Sequence, residues 1–144
     1  TLAAERPNAI ERIHRAGERG ILVSLGHTDA TIDELLAGVD AGARMVTHLY
    51  NAMSPFEHRA PGAAGGALIE DRLTVGLIAD GIHCHPAAVR LAVRAKGADR
   101  IALVSDMMPA AGIARPATTS LAVRQCVSTT RPPGWTTARS PVRS

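Results

Sequence analysis

Five side chains able to do acid–base or metal chemistry fall at comparable places along the chain. His27 comes two residues after the apolar run Ile21–Leu25, and His48 lies at the end of the run Met45–Leu49. Asp80 and His83 follow the run Leu73–Ala79, and Asp106 follows Ile101–Val104. If those runs are parallel strands, their C-terminal ends share one face of a sheet and these side chains converge there. Two His and a carboxylate gathered at one mouth can hold a divalent ion and act on its bound water. Taken singly, each has a plainer reading. A His at a strand end most often hydrogen-bonds within its loop. Asp106 can cap a turn, Asp29 can be a charge at a helix start, and Arg59 beside His58 can be a solvated surface group. That four consecutive runs each deliver a His or Asp to the same face favours a site.

The elements that would position these residues can be read from periodicity. Residues 7–19 carry an apolar stripe of Ala9, Ile10, Ile13 and Ala16, which predicts a helix ended by Gly20. The run 21–25 predicts a buried strand. Thr31-Ile-Asp-Glu34 has the spacing of a capping box, Ile32, Leu35, Leu36 and Val39 follow at i, i+3, i+4 and i+7, and Gly42 marks the end. Strands are expected at 45–49, 73–79 and 101–104, a helix at 86–96 with Pro86 at its first position, and a shorter helix after Gly65. The Gly- and Pro-bearing connection 50–67 is longer than structural loops usually are, which marks it as a candidate for function. Repeated βα units of this size mean an α/β fold with a parallel sheet and right-handed crossovers. Half of a barrel and an open doubly wound sheet both satisfy the pattern.

Composition narrows the function classes. The chain has 144 residues, 46% hydrophobic and 20% charged, enough to bury a core, and no apolar run long enough for a membrane span. No signal-peptide pattern opens it, and two Cys are too few for a disulfide framework, so a reducing, cytoplasmic setting is expected. A net charge of +3 would suit an acidic partner, but its distribution argues otherwise. Residues 1–111 hold 11 Arg or Lys against 13 Asp or Glu, whereas residues 112–144 hold five Arg and no acid. The basic excess is confined to the tail. Gly62, Gly65 and Gly66 lack the rest of a dinucleotide or phosphate-loop fingerprint. Three aromatic residues offer no stacking platform for single-stranded nucleic acid. Cys84, between His83 and His85, is read as a neighbour of the site and not a ligand, since alternate residues of an extended segment point apart.

Five blocks then occur in order: Gly26-His27-Thr28-Asp29-Ala30-Thr31, Thr47-His48-Leu49-Tyr50-Asn51-Ala52-Met53, His58-Arg59-Ala60-Pro61-Gly62, Ala79-Asp80-Gly81-Ile82-His83 and Leu103-Val104-Ser105-Asp106. Over about residues 1–112 this series resembles the N-acetylglucosamine-6-phosphate deacetylases of the amidohydrolase superfamily. The resemblance implies the C-terminal half of a (β/α)8 TIM-like barrel, about four βα units. It implies that His27 and His48 ligate a divalent metal ion, zinc or iron, and that Asp106 is the general base. Asn51, the backbone at Ala52, and Arg59 would hold a phosphorylated amino sugar, and His83 would contact the sugar or polarise the acetyl carbonyl. Full-length relatives would be homo-oligomers, with neither nucleic acid nor membrane as partner. Two rivals are another amidohydrolase, dihydroorotase-like or a deaminase, and a non-catalytic α/β binding module with a basic tail.

Ala60 stands where the family usually has Glu, and Met107 and Met108 follow the Asp where small residues are usual. The family's metal-binding Glu, in a His-Leu-Glu-Gly-Pro-like motif, is not among these residues, so activity of this chain alone is not expected. Residues 113–144 are expected to be a basic tail of low order. Back-translating 116–144 with assumed GC-rich codons and reading two bases on can give Gly-Asp-Tyr, Val-Arg-Val-Asp-Asp and Asp-Asp-Gly-Thr-Leu-Ala-Gly-Ser in turn. That order is like the family's, which points to a change of reading frame after about residue 112. Sequencing the coding DNA across codons 108–120 should reveal the shifted frame; close relatives encoding this same tail in frame would refute it.

Overall fold

The computed structural model describes residues 1–107, so the expectation for the tail lies outside the described residues. The element order is α1 (Ala9–Gly17), β1 (Ser24–Leu25), α2 (Ile32–Asp40), β2 (Met45–Val46), α3 (Gly62–Ile69), β3 (Thr74–Leu77), α4 (Pro86–Lys96), a 3-10 turn (Ala98–Arg100) and β4 (Ile101–Leu103). All four strands are parallel and lie in the order β1-β2-β3-β4. Thr1–Asp106 form one compact unit.

Helix ends follow the sequence signals closely. Thr31 Oγ1 accepts from the Glu34 N–H at 3.3 Å while Glu34 Oε2 accepts from the Thr31 N–H at 2.8 Å, so both halves of the capping box form. Pro86 occupies the first position of α4, and the His85 ring accepts from the Ala87 N–H at 3.1 Å. Gly97, at φ 74°, ends that helix in a conformation that favours glycine.

Strands are shorter than the apolar runs suggested. Ile21 and Leu22 are exposed and only Ser24–Leu25 pair as β1, whereas the end of the 45–49 run turns out of the sheet after Val46. The short helix starts at Gly62, not after Gly65. Glycine explains the shift. A side chain at Gly62 would stand 2.7 Å from the Pro55 carbonyl oxygen, and one at Gly66 would stand 2.7 Å from Leu35 Cδ2, so α3 packs closer to α2 than any larger residue permits. From Gly62 to Leu68 this helix is buried all round.

The core joins Leu25, Val46, Val75 and Leu77 of the strands to Ile13, Leu35, Val39, Ala63, Ala67, Leu68 and Ala92 of the helices. Lys96 is also buried, with its ammonium donating to the Glu70 carbonyl at 2.5 Å; burial pulls its pKa down, and Arg100 adds to that, against the pull of Asp71 and Glu70. Thr31→Ala removes the capping hydroxyl of α2 and should cost about 1 kcal/mol in denaturant unfolding, whereas Thr31→Ser should stay near wild type.

Candidate active site

The parallel register places the ends of β1, β2, β3 and β4 along one edge, and the chain turns sharply as it leaves each. Six non-glycine residues hold a left-handed backbone among the described residues: Asn8, His27, His48, Tyr50, Ala52 and Asp106. Four of these are candidates named from the sequence: His27 (φ 51°), His48 (φ 30°), Ala52 (φ 48°) and Asp106 (φ 47°). Such conformations are costly for residues with a Cβ and cluster where a side chain must be aimed at a function. Backbone strain and residue chemistry thus pick out the same positions.

His27 and His48 meet. Their Nε2 atoms lie 3.0 Å apart and the rings stand edge to face, with centroids separated by 4.8 Å. His48 is buried, and its Nδ1 has no hydrogen-bond partner among the described residues; His27 is exposed. Two imidazole nitrogens that share a tetrahedral zinc at about 2.0–2.1 Å sit a little over 3 Å apart, so this pair fits two positions of a metal site. No group of three His, Cys, Asp or Glu among the described residues can hold a metal. The donor set fits in chemistry and is short by number.

Around the pair, a second loop supplies amide and backbone groups. Asn51 donates from Nδ2 to the Leu49 carbonyl at 3.2 Å, and to the buried Cys84 Sγ at 3.6 Å. Burial pushes the Cys84 thiol and the Tyr50 hydroxyl up, which keeps both protonated near neutrality. Ala52 accepts from the Thr28 N–H at 3.0 Å through its carbonyl, while its own N–H has no partner among the described residues. Arg59 and His58 sit exposed at the tip of a small turn closed by Glu57 and Ala60, whose backbones bond each other at 3.2 Å in both directions. Asp106 is exposed and makes no hydrogen bond or ion pair among the described residues.

His83 is oriented by its own turn. Asp80 Oδ2 pairs with His83 Nδ1 at 2.7 Å, and Oδ1 accepts from the N–H groups of Ile82 and His83, both at 2.8 Å. With Nδ1 committed to the carboxylate, Nε2 is the nitrogen left for a substrate. Neither His83 nor Asp106 bonds to the histidine pair.

Glu5 escaped the sequence reading, which assigned no element to residues 1–6. Leu2 bridges Leu25 in parallel, so the N-terminal segment runs beside β1 and Glu5 leaves it at the same edge as the other site residues. The signal was present: an acid just past a short apolar segment. Its carboxylate takes hydrogen bonds from the Thr28 hydroxyl and, at 3.0 Å, from the Asp29 N–H. Desolvation pushes Glu5 up, but these bonds outweigh it and hold the carboxyl below its ordinary range.

A parallel sheet with crossover helices and polar residues at its C-terminal strand ends, superposing on solved TIM-barrel proteins, defines the class as a partial TIM barrel, of which this chain carries about four βα units. Comparison with curated proteins narrows it. The chain is 48% identical over 113 residues to an N-acetylglucosamine-6-phosphate deacetylase of Lysinibacillus sphaericus, and 49% identical over 113 residues to that of Bacillus subtilis. Each match takes in 78% of this chain but only 29% and 28% of the relative, so the chain spans under a third of the relatives it matches. A crystal structure of the Mycobacterium smegmatis deacetylase superposes with a TM-score of 0.77 at 40% identity, over 78% of this chain and 32% of that one. A mutant form of it was solved in complex with N-acetyl-D-glucosamine-6-phosphate, with a TM-score of 0.75 at 40% identity over 77% of this chain and 29% of that one. No protein-family model matches. Over these residues the chain is similar to the N-acetylglucosamine-6-phosphate deacetylases, as a partial match to each.

The Asp80–His83 turn gives a pH test. Desolvation pushes the Asp80 carboxyl up, but the His83 ring and the two backbone N–H groups more than reverse it and hold it at about 2. A depressed carboxylate adds stability that is complete above the unfolded value, about 4, and is lost as pH falls toward 2. The Asp80 side-chain carbon should therefore titrate by NMR near 2, with the His83 turn loosening alongside; a midpoint near 4 would mean that the pairing does not form in solution.

Proposed function

We propose that these residues are part of the catalytic face of a metal-dependent deacetylase that hydrolyses the acetamide of N-acetylglucosamine 6-phosphate. The observation that carries this reading is the His27–His48 pair, with its Nε2 atoms 3.0 Å apart at the strand ends of a chain similar to these deacetylases. His27 and His48 would hold a divalent metal, zinc or iron, which when bound polarises water and the acetyl carbonyl. Asp106 takes the proton from the attacking water and returns it to the leaving amine. A carbon–oxygen bond forms, the carbon–nitrogen bond breaks, and acetate and glucosamine 6-phosphate leave. His83, aimed by Asp80, presents Nε2 to the carbonyl oxygen or a sugar hydroxyl.

Arg59 suits the phosphate because its guanidinium offers two parallel donors to two oxygens. The Ala52 N–H is a second donor held ready by its left-handed backbone. Asn51 supplies a side-chain amide beside it. No helix among the described residues is long and apolar enough to cross a membrane.

The reading is tested by exchanging this segment into a full-length relative in place of its counterpart. The chimera should deacetylate the phosphorylated sugar in strong preference to the unphosphorylated one. Asp106→Asn should lower kcat by about 100-fold or more. Arg59→Ala should raise KM for the phosphorylated sugar and erase most of the preference while leaving kcat within a few-fold. A preference untouched by Arg59→Ala would remove the phosphate assignment.

A further inference from the structure

We propose that Glu5 is a positioning residue that fixes the aim of His27. The inference rests on the reading of His27 and His48 as a metal-holding pair. His27 makes no backbone hydrogen bond among the described residues, and its ring bonds to His48. What holds it must therefore act on its neighbours. On one side, the Gly26 N–H donates to the Leu2 carbonyl at 3.2 Å. On the other, Thr28 is buried and tied at every polar atom. Its N–H donates to the Ala52 carbonyl at 3.0 Å, and its carbonyl accepts from the Ser54 N–H at 2.9 Å. Its hydroxyl accepts from the Ala30 N–H at 3.2 Å and donates to Glu5 Oε2.

Glu5 does two things at once. Oε2 takes the Thr28 hydroxyl proton and Oε1 takes the Asp29 N–H at 3.0 Å, so one carboxylate clamps two consecutive residues just after His27. It does so from a third segment, the one paired beside β1 at Leu2. A non-glycine residue at φ 51° persists only where its surroundings over-determine it, and Glu5 supplies the part that the second loop does not. Its place beside a ligand, without being one, is that of the groups that orient metal-binding histidines and whose loss weakens metal affinity.

The test uses this chain, first without metal. Glu5→Ala should accelerate exchange of the Asp29 amide at least tenfold and abolish the cross-relaxation between the His27 and His48 rings. The core contact between Leu25 and Val46 should keep its intensity. Glu5→Gln, which retains an acceptor for Asp29, should restore part of the ring contact, and Thr28→Val should reproduce the loss of the hydroxyl half. These two milder variants decide the matter if Glu5→Ala fails to fold. A ring contact as strong in the variants as in the wild type overturns the proposal. With zinc ion added as the probe, affinity should fall by about 10- to 100-fold in Glu5→Ala. Unchanged affinity in a chain whose binding is lost on His27→Ala also overturns it. A wild-type chain that takes up no zinc contradicts the metal reading and leaves the ring-contact experiment to decide on Glu5.

Discussion

Parallel pairing of the four strands is the constraint from which the rest follows. Ser24 stands opposite Met45, Met45 opposite Thr74, and Val75 opposite Ile101, so the strands leave the sheet along one edge with no room for a slip. A shift of one residue at any pairing would turn Leu25, Val46 or Val75 out of the core and send the following His or Asp to the wrong face. Burial of those side chains against α2, α3 and α4 is therefore what aligns the polar residues beyond them. Packing sets the register, and the register sets the site.

Beyond the strand ends, hydrogen bonds take over from packing. Thr47 joins the hydroxyls of Thr1 and Ser24 at 2.9 and 2.7 Å, tying the first segment, β1 and the end of β2 together just below the two histidines. Gly26 allows this closeness, because a Cβ there would meet that of Thr47 at 2.8 Å. Thr28 and Met53 then bridge in parallel, so the loops after β1 and β2 are themselves paired. Ser54 fastens the far end, donating to the Ala30 carbonyl at 2.5 Å and accepting from the Ala63 N–H at 2.7 Å at the start of α3. His27, His48, Tyr50 and Ala52 sit inside this mesh, where neighbouring bonds offset their backbone cost.

Much of this was legible in the sequence. The capping box at Thr31 and Glu34, Pro86 and Gly97 around α4, and the all-parallel order follow from local chemistry and periodicity, and each has its counterpart in the structure. The His27–His48 encounter was foreseeable too, since both follow short apolar runs. Other features depend on contacts that no local pattern encodes. Ile21 and Leu22 read as buried strand yet lie exposed, because pairing begins only at Ser24. The early start of α3 is decided by how near Pro55 and Leu35 approach its glycines. Glu5 was missed for a similar reason: an acid does follow a short apolar segment, but its partners are 23 and 24 residues away and that segment is too short to show a period.

The central claim is that His27 and His48 form a metal-holding pair through Nε2, and long-range proton–nitrogen NMR of the histidine rings tests it most directly. On adding zinc ion to the chain, the Nε2 resonances of both residues should move together to the shift of a coordinated nitrogen, with Nδ1 protonated in each. Movement of only one ring, or of neither, would contradict the account.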